Sequence, residues 1–532
     1  MPHQRHNLEI ESPKGTTNVS LTGAHSRLSD VLRREHLPLN IRCGQRGLCD
    51  GCALELLRGE VVNINTGAVL RAPATVRACQ HRLDGDAAIR IPARSLLAHK
   101  AQVVSEFRLN IPRAHEPVCK TGLGAAIDIG TTTVAVVLVD LRDGKIVGHA
   151  ADFNKQMNFG DDVATRIGLC AHDKAMIAQL QDAIVEKTLA PLVADCLRQA
   201  GTSARKISPR SREEHEEKPS RNIDGTLTEH VTALCVAGNA TMLHLFAGVD
   251  PTGMGAYPFR PEFLGHRVVK LPSFGDAAVH LLPGAAAYVG SDITAGVLAS
   301  GMAFDDGPSL LVDVGTNGEI VLKRGGTLLG CATAAGPAFE GAGLRNGVRA
   351  ADGAIQKIRL EPRLHVDVIG KTTAIGVCGS AYVDFLAEGR RSGLLNERGR
   401  FVGATELELA PGIVITETDV AHLLQSKAAI GAGVETLLAR AKLSAREIRR
   451  VYLAGGFGLH INVANAIACG LLPGFAVEQV EVVGNTSLAG AYVSLLDVSA
   501  LAEIRRVCER MEVVELNLEP NFESRYIDHL GL

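Results

Sequence analysis

The stretch AAIDIGTTT at residues 125–133 is the part of this sequence that decides the fold. An apolar run ends at an aspartate, a tight glycine turn follows, and three threonines lead into a second apolar run that ends at Asp140. Apolar runs of this length joined by a polar glycine turn are typical of two adjacent buried strands. We therefore expect a strand, a turn and a returning strand here.

The same pattern returns at residues 310–320, which read LLVDVGTNGEI. Asp128 in the first copy and Asp313 in the second are separated by about the length of a whole domain, which indicates a duplicated domain. Each turn can present backbone amides and threonine hydroxyls to phosphate oxygens, while the aspartate binds Mg²⁺ or orients a water. One such turn would be weak evidence, because these residues also cluster in ordinary hairpins. Two of them, followed by a glycine pair at residues 455–456, favour a nucleotide site.

This arrangement resembles the superfamily of acetate and sugar kinases, heat-shock chaperone ATPases and actin, in which two ribonuclease-H-like halves clamp ATP. The resemblance implies that residues 128–133 form the first phosphate loop, residues 313–319 the second, and residues 455–457 part of the adenosine pocket. It implies that Asp128 and Asp313 are catalytic. The nucleotide-binding residues that we predict on the same basis are Gly130, Thr131, Thr132, Thr133, Gly315, Thr316, Asn317, Gly318, Glu340, Gly455, Gly456 and Phe457.

A second stretch, CGQRGLCDGC at residues 43–52, carries three cysteines, and a fourth follows at Cys79. Four thiolates can hold iron, and the glycines let the backbone curl around an inorganic core. A four-cysteine zinc site usually has two CxxC pairs, whereas Cys79 stands alone. The spacing differs from the plant-type iron–sulfur pattern by one residue in the first gap, and it resembles adrenodoxin-type ferredoxins. We predict a 2Fe–2S cluster on Cys43, Cys49, Cys52 and Cys79, with zinc or an accidental grouping as the alternatives.

The two parts together resemble the reductive activators of corrinoid proteins, which restore inactive Co(II) corrinoids to Co(I). The resemblance implies an ATP-hydrolysing iron–sulfur enzyme that uses a 2Fe–2S cluster, ATP and Mg²⁺. Its implied partners are a corrinoid protein of a methyltransferase system and an upstream low-potential electron donor, and the resemblance also suggests a homodimer. Longer members have an additional small domain for which residues 92–122 are too short. Further stretches that carry the resemblance lie at residues 154–156, 160–163, 238–242, 288–292, 335–341, 454–458 and 483–485.

The predicted fold class is multidomain α/β, with an N-terminal β-grasp ferredoxin of the α+β type followed by duplicated ribonuclease-H-like α/β lobes. We expect the ferredoxin-like domain at residues 1–93, built from a hairpin at 8–21, a helix at 27–35 and strands at 53–57 and 86–92. A linker is expected at 94–121. The first ATPase lobe should span 122–308, with a polar insert at about 201–229, and the second 309–532.

Length and composition agree with this picture. A chain of 532 residues is long enough for three or four domains at roughly 150 residues each. The formal net charge of −3 gives no reason to expect a nucleic-acid partner. The N-terminus has no signal-peptide core and no apolar run is long enough to span a membrane, so we expect a cytoplasmic protein.

Three other functions stay open: a small-molecule kinase with an accessory ferredoxin domain, an activator of the radical-dehydratase type, and a simple electron carrier with a degenerate ATPase. Some single residues also have two interpretations. Glu340 contacts nucleotide, Mg²⁺ or only a backbone amide, and Asn239 is a helix N-cap or a ligand. The residues that we expect to pack in the core, without binding metal, are His244, His460, Cys235, Cys331 and Cys378.

Overall fold

The computed structural model describes residues 5–13, 15–22, 27–35, 37, 39, 47, 51–92, 95–96, 106–111, 116–160, 162–207, 231–455 and 459–532. By their internal contacts the residues form two compact units. One comprises Met1–Gln102, Pro337–Ser426 and Gly531–Leu532, and the other comprises Val103–Gly336 and Lys427–Leu530. No helix within the described ranges is both long and apolar enough to cross a bilayer.

The N-terminal part of the first unit is a mixed β-sheet with one helix. The elements are β1 (Arg5–Ser12), β2 (Gly15–Thr22), α1 (Leu28–Arg34), β3 (Ala53–Arg58), β4 (Glu60–Asn63), β5 (Val69–Arg71), β6 (Ala74–Arg77), β7 (His81–Leu83) and β8 (Ala87–Arg90). The main sheet has the order β2-β1-β8-β3-β6, with β1 parallel to β8, and β5-β4-β7 form a smaller sheet. The predicted hairpin, helix and two strands are thereby confirmed. The short strands β4 to β7 were not predicted, because three or four residues are too few to show a period.

The first α/β sheet carries the turn with which the sequence analysis began. Its elements are β9 (Leu123–Ile129), β10 (Thr133–Asp140), β11 (Ile146–Phe153), α2 (Val163–His172), α3 (Ala175–Ile184), α4 (Ala190–Ile207), β12 (Val231–Gly238), α5 (Ala240–Phe246), β13 (Arg267–Val269), β14 (Ala278–Leu281) and α6 (Ser291–Ala299). A π-helical turn at Val185–Leu189 joins α3 to α4. Helix α4 ends inside the predicted polar insert, and residues 208–230 lie outside the described ranges.

The chain then begins the second α/β sheet with β15 (Ser309–Val314), β16 (Gly318–Arg324) and β17 (Thr327–Thr333). An excursion follows that belongs to the first unit. It contains β18 (Ala354–Arg359), β19 (His365–Val368), β20 (Gly376–Val377), α7 (Gly379–Arg391), β21 (Glu406–Ala410) and β22 (Ile413–Thr416). The remaining elements are α8 (Glu417–Ala441), β23 (Arg450–Gly455), α9 (Val463–Ala468), β24 (Val480–Gly484), α10 (Thr486–Leu496), α11 (Ser499–Arg510), β25 (Met511–Val513) and α12 (Phe522–Asp528).

The two α/β sheets repeat one arrangement, as the duplicated sequence pattern predicts. The first has the order β11-β10-β9-β12-β14-β13 and the second β24-β23-β15-β16-β17-β25. In each, an antiparallel hairpin carries the aspartate strand, and a later strand pairs with that strand in parallel, β12 with β9 and β23 with β15. Both aspartate strands are inner strands with mostly buried residues, which explains their apolar runs.

Candidate functional site

The first predicted phosphate loop is the turn between β9 and β10. The Gly130 amide donates to the Thr133 carbonyl across the turn at 2.9 Å. An added Cβ at Gly130 would lie 2.8 Å from that carbonyl oxygen, so the turn has no room for a side chain. Thr131 and Thr132, at the tip of the turn, are both buried. All four residues predicted for this loop therefore lie in one tight turn.

The second predicted phosphate loop is the turn between β15 and β16. Its Gly315 amide donates to the Asn317 carbonyl at 3.0 Å, and Gly318 starts the outgoing strand. The hydroxyl oxygens of Thr316 and Thr132 lie 3.2 Å apart, a hydrogen-bond distance. Two turns that are separated by 184 residues in the chain therefore meet.

Gly455 ends β23 directly beside Asp313. It has a φ of +105°, and an added Cβ would lie 2.6 Å from the Oδ1 atom of Asp313. Gly238 has the equivalent place at the end of β12, where an added Cβ would lie 2.6 Å from the Ile129 carbonyl oxygen. Both lobes thus use glycine where the parallel strand ends against the aspartate strand. Gly456 and Phe457 lie outside the described residues, so the adenosine pocket stays a prediction.

Asp128 is held by two residues that the sequence analysis did not assign to the site. Asn485 donates from Nδ2 to its Oδ2 atom at 2.8 Å, and the Ser487 hydroxyl donates to its Oδ1 atom at 2.7 Å. Asn485 also caps α10, because its Oδ1 atom accepts from the Leu488 amide at 2.8 Å. Burial raises the pKa of Asp128, although both hydrogen bonds oppose that shift. The signal for Asn485 in the sequence was the stretch 483–485, which carried the family resemblance but had no assigned role.

Two more carboxylates, Asp292 and Glu319, belong to the same electrostatic group. Burial raises the pKa of Asp292 to about 7, and the negative charge of Asp128 adds to the shift. The pKa of Glu319 is raised well above its ordinary value by burial and by repulsion from Asp292 and Asp313. Glu319 faces Asp313 across the β15–β16 hairpin. The site therefore concentrates negative charge that a cation would relieve.

Asn239 is the helix N-cap that one of its two interpretations predicts, and its role as a ligand stays a prediction. Its Oδ1 atom caps α5 by accepting from the Met242 amide at 3.0 Å. Its Nδ2 group donates to the Thr131 hydroxyl at 3.0 Å. A single side chain thus fixes a helix start and one hydroxyl of the first phosphate loop.

Glu340 lies in the other compact unit, within the excursion after β17. Its Oε2 atom is 3.6 Å from Nη2 of Arg349, and both side chains are mostly enclosed. The neighbouring Gly341 has a φ of +77°, and an added Cβ there would lie 2.6 Å from the Val348 carbonyl oxygen. These contacts give Glu340 a local ion pair, and its predicted role in nucleotide binding stays untested.

Two of the four predicted iron ligands, Cys52 and Cys79, lie in the described residues. Both are fully buried in the core that α1 forms with the N-terminal sheet. The Ala78 amide donates to the Cys52 carbonyl at 3.1 Å, which joins the two segments that carry them. At Gly47, whose φ is +75°, an added Cβ would lie 2.8 Å from the Gln80 side chain. Cys43 and Cys49 lie outside the described residues.

The donor atoms suit the groups that the sequence predicts. Buried cysteine sulfurs in one core suit a thiolate-held iron cluster. Across the described ranges, no group of three or more His, Cys, Asp or Glu side chains could by itself hold a metal ion. Mg²⁺ needs no such cage, because it usually keeps waters and is bound by one or two carboxylates together with substrate phosphates. Asp128 and Asp313 at the phosphate turns fit that mode.

The residues expected to pack in the core divide into two groups. His244 is fully buried, and burial lowers its pKa. Its Nδ1 atom lies 2.7 Å from the Ala240 carbonyl, and its Nε2 atom accepts from the Glu262 amide, which fixes a neutral ring. Cys235, Cys331 and Cys378 are buried as well. The prediction for His460 is wrong: its side chain is exposed, because it lies in the turn that precedes α9.

Comparison with known proteins gives matches along most of the chain. The family model described as the RACo middle region matches residues 123–210 and 221–305. The model described as the C-terminal domain of RACo, the ASKHA domain, matches residues 307–532. The latter is the domain class of acetate and sugar kinases, heat-shock proteins and actin, and the mixed α/β sheets agree with it. The ASKHA part of the predicted fold class is thereby confirmed.

Individual relatives point the same way. The corrinoid activation enzyme RamQ of Eubacterium limosum is 31% identical over 437 residues, which are 76% of this chain and 69% of that protein. The [Co(II) methylated amine-specific corrinoid protein] reductase of Methanosarcina barkeri is 28% identical over 57% of this chain and 63% of its own length. A solved structure of a reductive activator for corrinoid, iron-sulfur protein has a TM-score of 0.67 and 27% identity, and the match covers 99% of this chain and 98% of that one. The chain therefore belongs to the family of reductive activators of corrinoid proteins.

Proposed function

We propose that this protein is an ATP-dependent reductive activator, which passes an electron to an inactive Co(II) corrinoid protein and restores Co(I) for methyl transfer. Family membership supports the reductive activation of a corrinoid protein. The observation that carries the ATP dependence is the contact between Thr132 and Thr316, which joins two repeated phosphate-type turns beside buried carboxylates.

In this proposal the two turns bind the phosphates of ATP. The amides and hydroxyls of residues 130–133 and 315–318 donate to phosphate oxygens. Asp128 and Asp313 would hold Mg²⁺ or orient the attacking water. Burial and repulsion between carboxylates raise the pKa values of Asp292 and Glu319, and a bound cation would reduce the repulsion. Residues 455–457 line the adenosine.

The N-terminal sheet is, in the proposal, a β-grasp ferredoxin domain. Cys43, Cys49, Cys52 and Cys79 would hold a 2Fe–2S cluster, which supplies one electron at a potential of roughly −400 mV. Of these four, Cys52 and Cys79 are fully buried in the core of that sheet, which supports this assignment. An upstream low-potential electron donor would reduce the cluster again after each transfer.

The unfavourable electron transfer to Co(II) gives a physical reason for ATP to take part in the reaction. Reduction of Co(II) to Co(I) is expected to be harder than reduction of the iron–sulfur site, and about 59 mV of uphill transfer costs a factor of ten in a one-electron equilibrium. ATP can offset this only if the complex with the corrinoid protein has different stability in the two nucleotide states. We propose that binding or hydrolysis of ATP between the lobes changes the affinity of the activator for the corrinoid protein.

The test is anaerobic reduction of a purified Co(II) corrinoid protein, followed by the cobalt absorption spectrum, with and without Mg·ATP. Wild-type protein should reduce it much faster with ATP. Cys79→Ser should abolish reduction in both conditions, while Asp128→Asn should remove only the acceleration by ATP. Cys508→Ser and Asp140→Asn are matched controls, because both residues lie away from the predicted sites, and they should behave like wild type.

Equal rates with and without ATP would contradict the ATP dependence. Full activity of Cys79→Ser would contradict the role of the iron–sulfur site. ATP turnover that rises when a sugar or acetate is added, with no reduction of any corrinoid protein, would favour the small-molecule kinase instead.

A further inference from the structure

A buried polar network lies directly beneath the first phosphate loop. Asn154, Gln156 and Arg166 are all fully buried. Burial of polar groups is costly unless they are hydrogen-bonded, so the partners of these side chains show what the network holds in place. Asn154 and Gln156 belong to a stretch that carried the family resemblance but had no assigned role.

The network binds the carbonyl oxygens of the loop. Nδ2 of Asn154 donates to the Gly130 carbonyl at 3.0 Å, and its backbone amide donates to the Thr132 carbonyl at 2.9 Å. Between them, Nη2 of Arg166 donates to the Thr131 carbonyl at 2.6 Å. Three successive carbonyls of the turn are therefore fixed toward the protein interior.

Fixing the carbonyls also fixes the amides. In a trans peptide the C=O and the following N–H point in opposite directions. The inward Gly130 carbonyl therefore turns the Thr131 amide outward, and the inward Thr131 carbonyl does the same for the Thr132 amide. Within the described part of the chain, neither amide has a hydrogen-bond acceptor. Successive outward amides of this kind form an anion-binding concavity.

Arg166 suits this task because its guanidinium is a planar fork. Besides Thr131 it donates from Nε to the Gly160 carbonyl at 2.9 Å and from Nη1 to Oε1 of Gln156 at 3.0 Å. A lysine ammonium is a point donor at the end of a flexible stem and would not span these acceptors. A charged donor on the Thr131 carbonyl also polarises that peptide, so its N–H becomes a stronger donor.

We propose that Arg166 is a positioning residue for the nucleotide phosphates: it holds the Thr131 peptide so that the Thr131 and Thr132 amides face the phosphate site. The inference rests on the ATP binding proposed above. It predicts that Arg166 strengthens the binding of the phosphates and has no effect on the binding of the nucleoside.

The experiment measures the affinities of ATP and adenosine by calorimetry for the wild-type protein, Arg166→Met and Arg166→Lys. Arg166→Met should weaken ATP binding about tenfold or more, while adenosine binding changes less than about twofold. Arg166→Lys keeps the charge but loses the fork, so a smaller, roughly threefold loss for ATP is expected. It gives the same readout if the methionine variant does not fold.

Arg142→Met is the matched control, because Arg142 lies in the same lobe with an exposed side chain and should leave both affinities unchanged. If the ratio of the ATP and adenosine affinities were unchanged in the Arg166 variants, the inference would be overturned. An equal loss of both affinities together with a lower melting temperature is one such result, and it would assign Arg166 a role in stability alone. If the wild-type protein bound no ATP, the proposed function itself would fail, and that outcome is distinct from the other two.

Discussion

Asp128 depends on residues from the far end of the chain. The sequence marks it as the last charged residue before a glycine turn, but Asn485 and Ser487, which hold its two oxygens, come 357 and 359 residues later. Both lie at the start of α10, so the position of that helix decides whether Asp128 is correctly oriented. The orientation of this predicted catalytic carboxylate thus depends on a helix near the end of the chain.

Asp292 should make the stability of the nucleotide-free protein depend on pH. Its pKa rises from 3.8 to about 7 on folding, so its ionisation opposes the folded state, and stability falls as the pH rises through this window. We expect Asp292→Asn to raise the melting temperature at both pH values, and by clearly more at pH 8 than at pH 5.5, because the cost of the raised pKa accumulates between pH 3.8 and about 7 and is complete only above it. Relief of the repulsion on Asp128 and Glu319 adds to the effect at pH 8.

Asp140→Asn is the control for this measurement. Hydrogen bonding to Arg142 lowers the pKa of Asp140 to about 2, so this carboxylate is ionised at both pH values and its loss should shift both melting temperatures equally. An identical shift at pH 5.5 and pH 8 for Asp292→Asn would show that Asp292 does not titrate in this range.

The cysteines allow a direct test by iron content. We expect the anaerobically purified protein to contain about two iron atoms per chain with the visible absorption of a 2Fe–2S cluster. Cys52→Ser or Cys79→Ser should lower the iron content severalfold, because a serine oxygen is a poor ligand for this centre. Cys170→Ser, at a buried cysteine of the first α/β lobe, should keep the full iron content. Zinc in place of iron in the wild-type protein would support the alternative interpretation of the cysteines.

Among the elements, α6 and α10 pack with their backbones close together. An added Cβ at Gly490 in α10 would lie 2.6 Å from the Ala295 carbonyl oxygen of α6, and one at Gly296 would lie 2.8 Å from the Thr486 hydroxyl. Asp292 sits in the first turn of α6, and Asn485 caps α10. The close packing therefore fixes two groups of the site relative to each other.

Gly490→Ala should destabilise the protein. The methyl group meets backbone atoms that cannot move aside cheaply, so we expect a loss of about 1–3 kcal/mol and weaker ATP binding. Gly168→Ala in α2 is the matched control: an added Cβ there meets nothing within 4 Å. It should be neutral or stabilising by up to about 1 kcal/mol, because alanine favours helix over glycine. Thermal denaturation of both variants decides this, and equal midpoints would contradict the packing argument.

At the scale of the whole molecule, the predicted linker contains a segment that we call the strap, residues 106–111 and 116–119, which packs along α10. The Asn485 amide donates to the Glu106 carbonyl at 3.2 Å, and at the other end of the helix the Val118 amide donates to the Leu495 carbonyl at 3.1 Å. The ring centroids of Phe107 and Tyr492 lie 5.5 Å apart. In the sequence, the strap follows the cysteine-bearing region, so one segment connects that region to the helix that orients Asp128.

If the strap couples the two activities, Phe107→Ala should separate them. We expect ATP hydrolysis to stay within about twofold of wild type, while the acceleration of corrinoid reduction by ATP falls severalfold, because the strap loses its aromatic contact with α10. The measurement is the amount of Co(I) formed per ATP hydrolysed. Phe304→Ala is the control, since Phe304 is 54% exposed. Unchanged coupling in Phe107→Ala would show that the strap serves stability alone.

Local patterns made much of the architecture predictable. The hairpins at Asp128 and Asp313 and the N-terminal hairpin all follow from apolar runs and turn residues over a few positions. The duplicated turns also indicated that two lobes share a site. By contrast, strands β4 to β7 are too short to leave a pattern, and the exposure of His460 depends on the turn that carries it.

The sequence by itself determined which chemical groups this protein has: two phosphate-type turns with their aspartates, and four cysteines. The turns and three of the cysteines are recognisable because their residues are neighbours in the chain. The tertiary structure alone decided what supports them. Asn485, Ser487, Asp292 and Arg166 reach the first turn from elements distant in sequence, through contacts that no local period encodes. The reason is physical: a turn can be specified by a few adjacent residues, but its orientation and charge depend on the groups that folding packs around it.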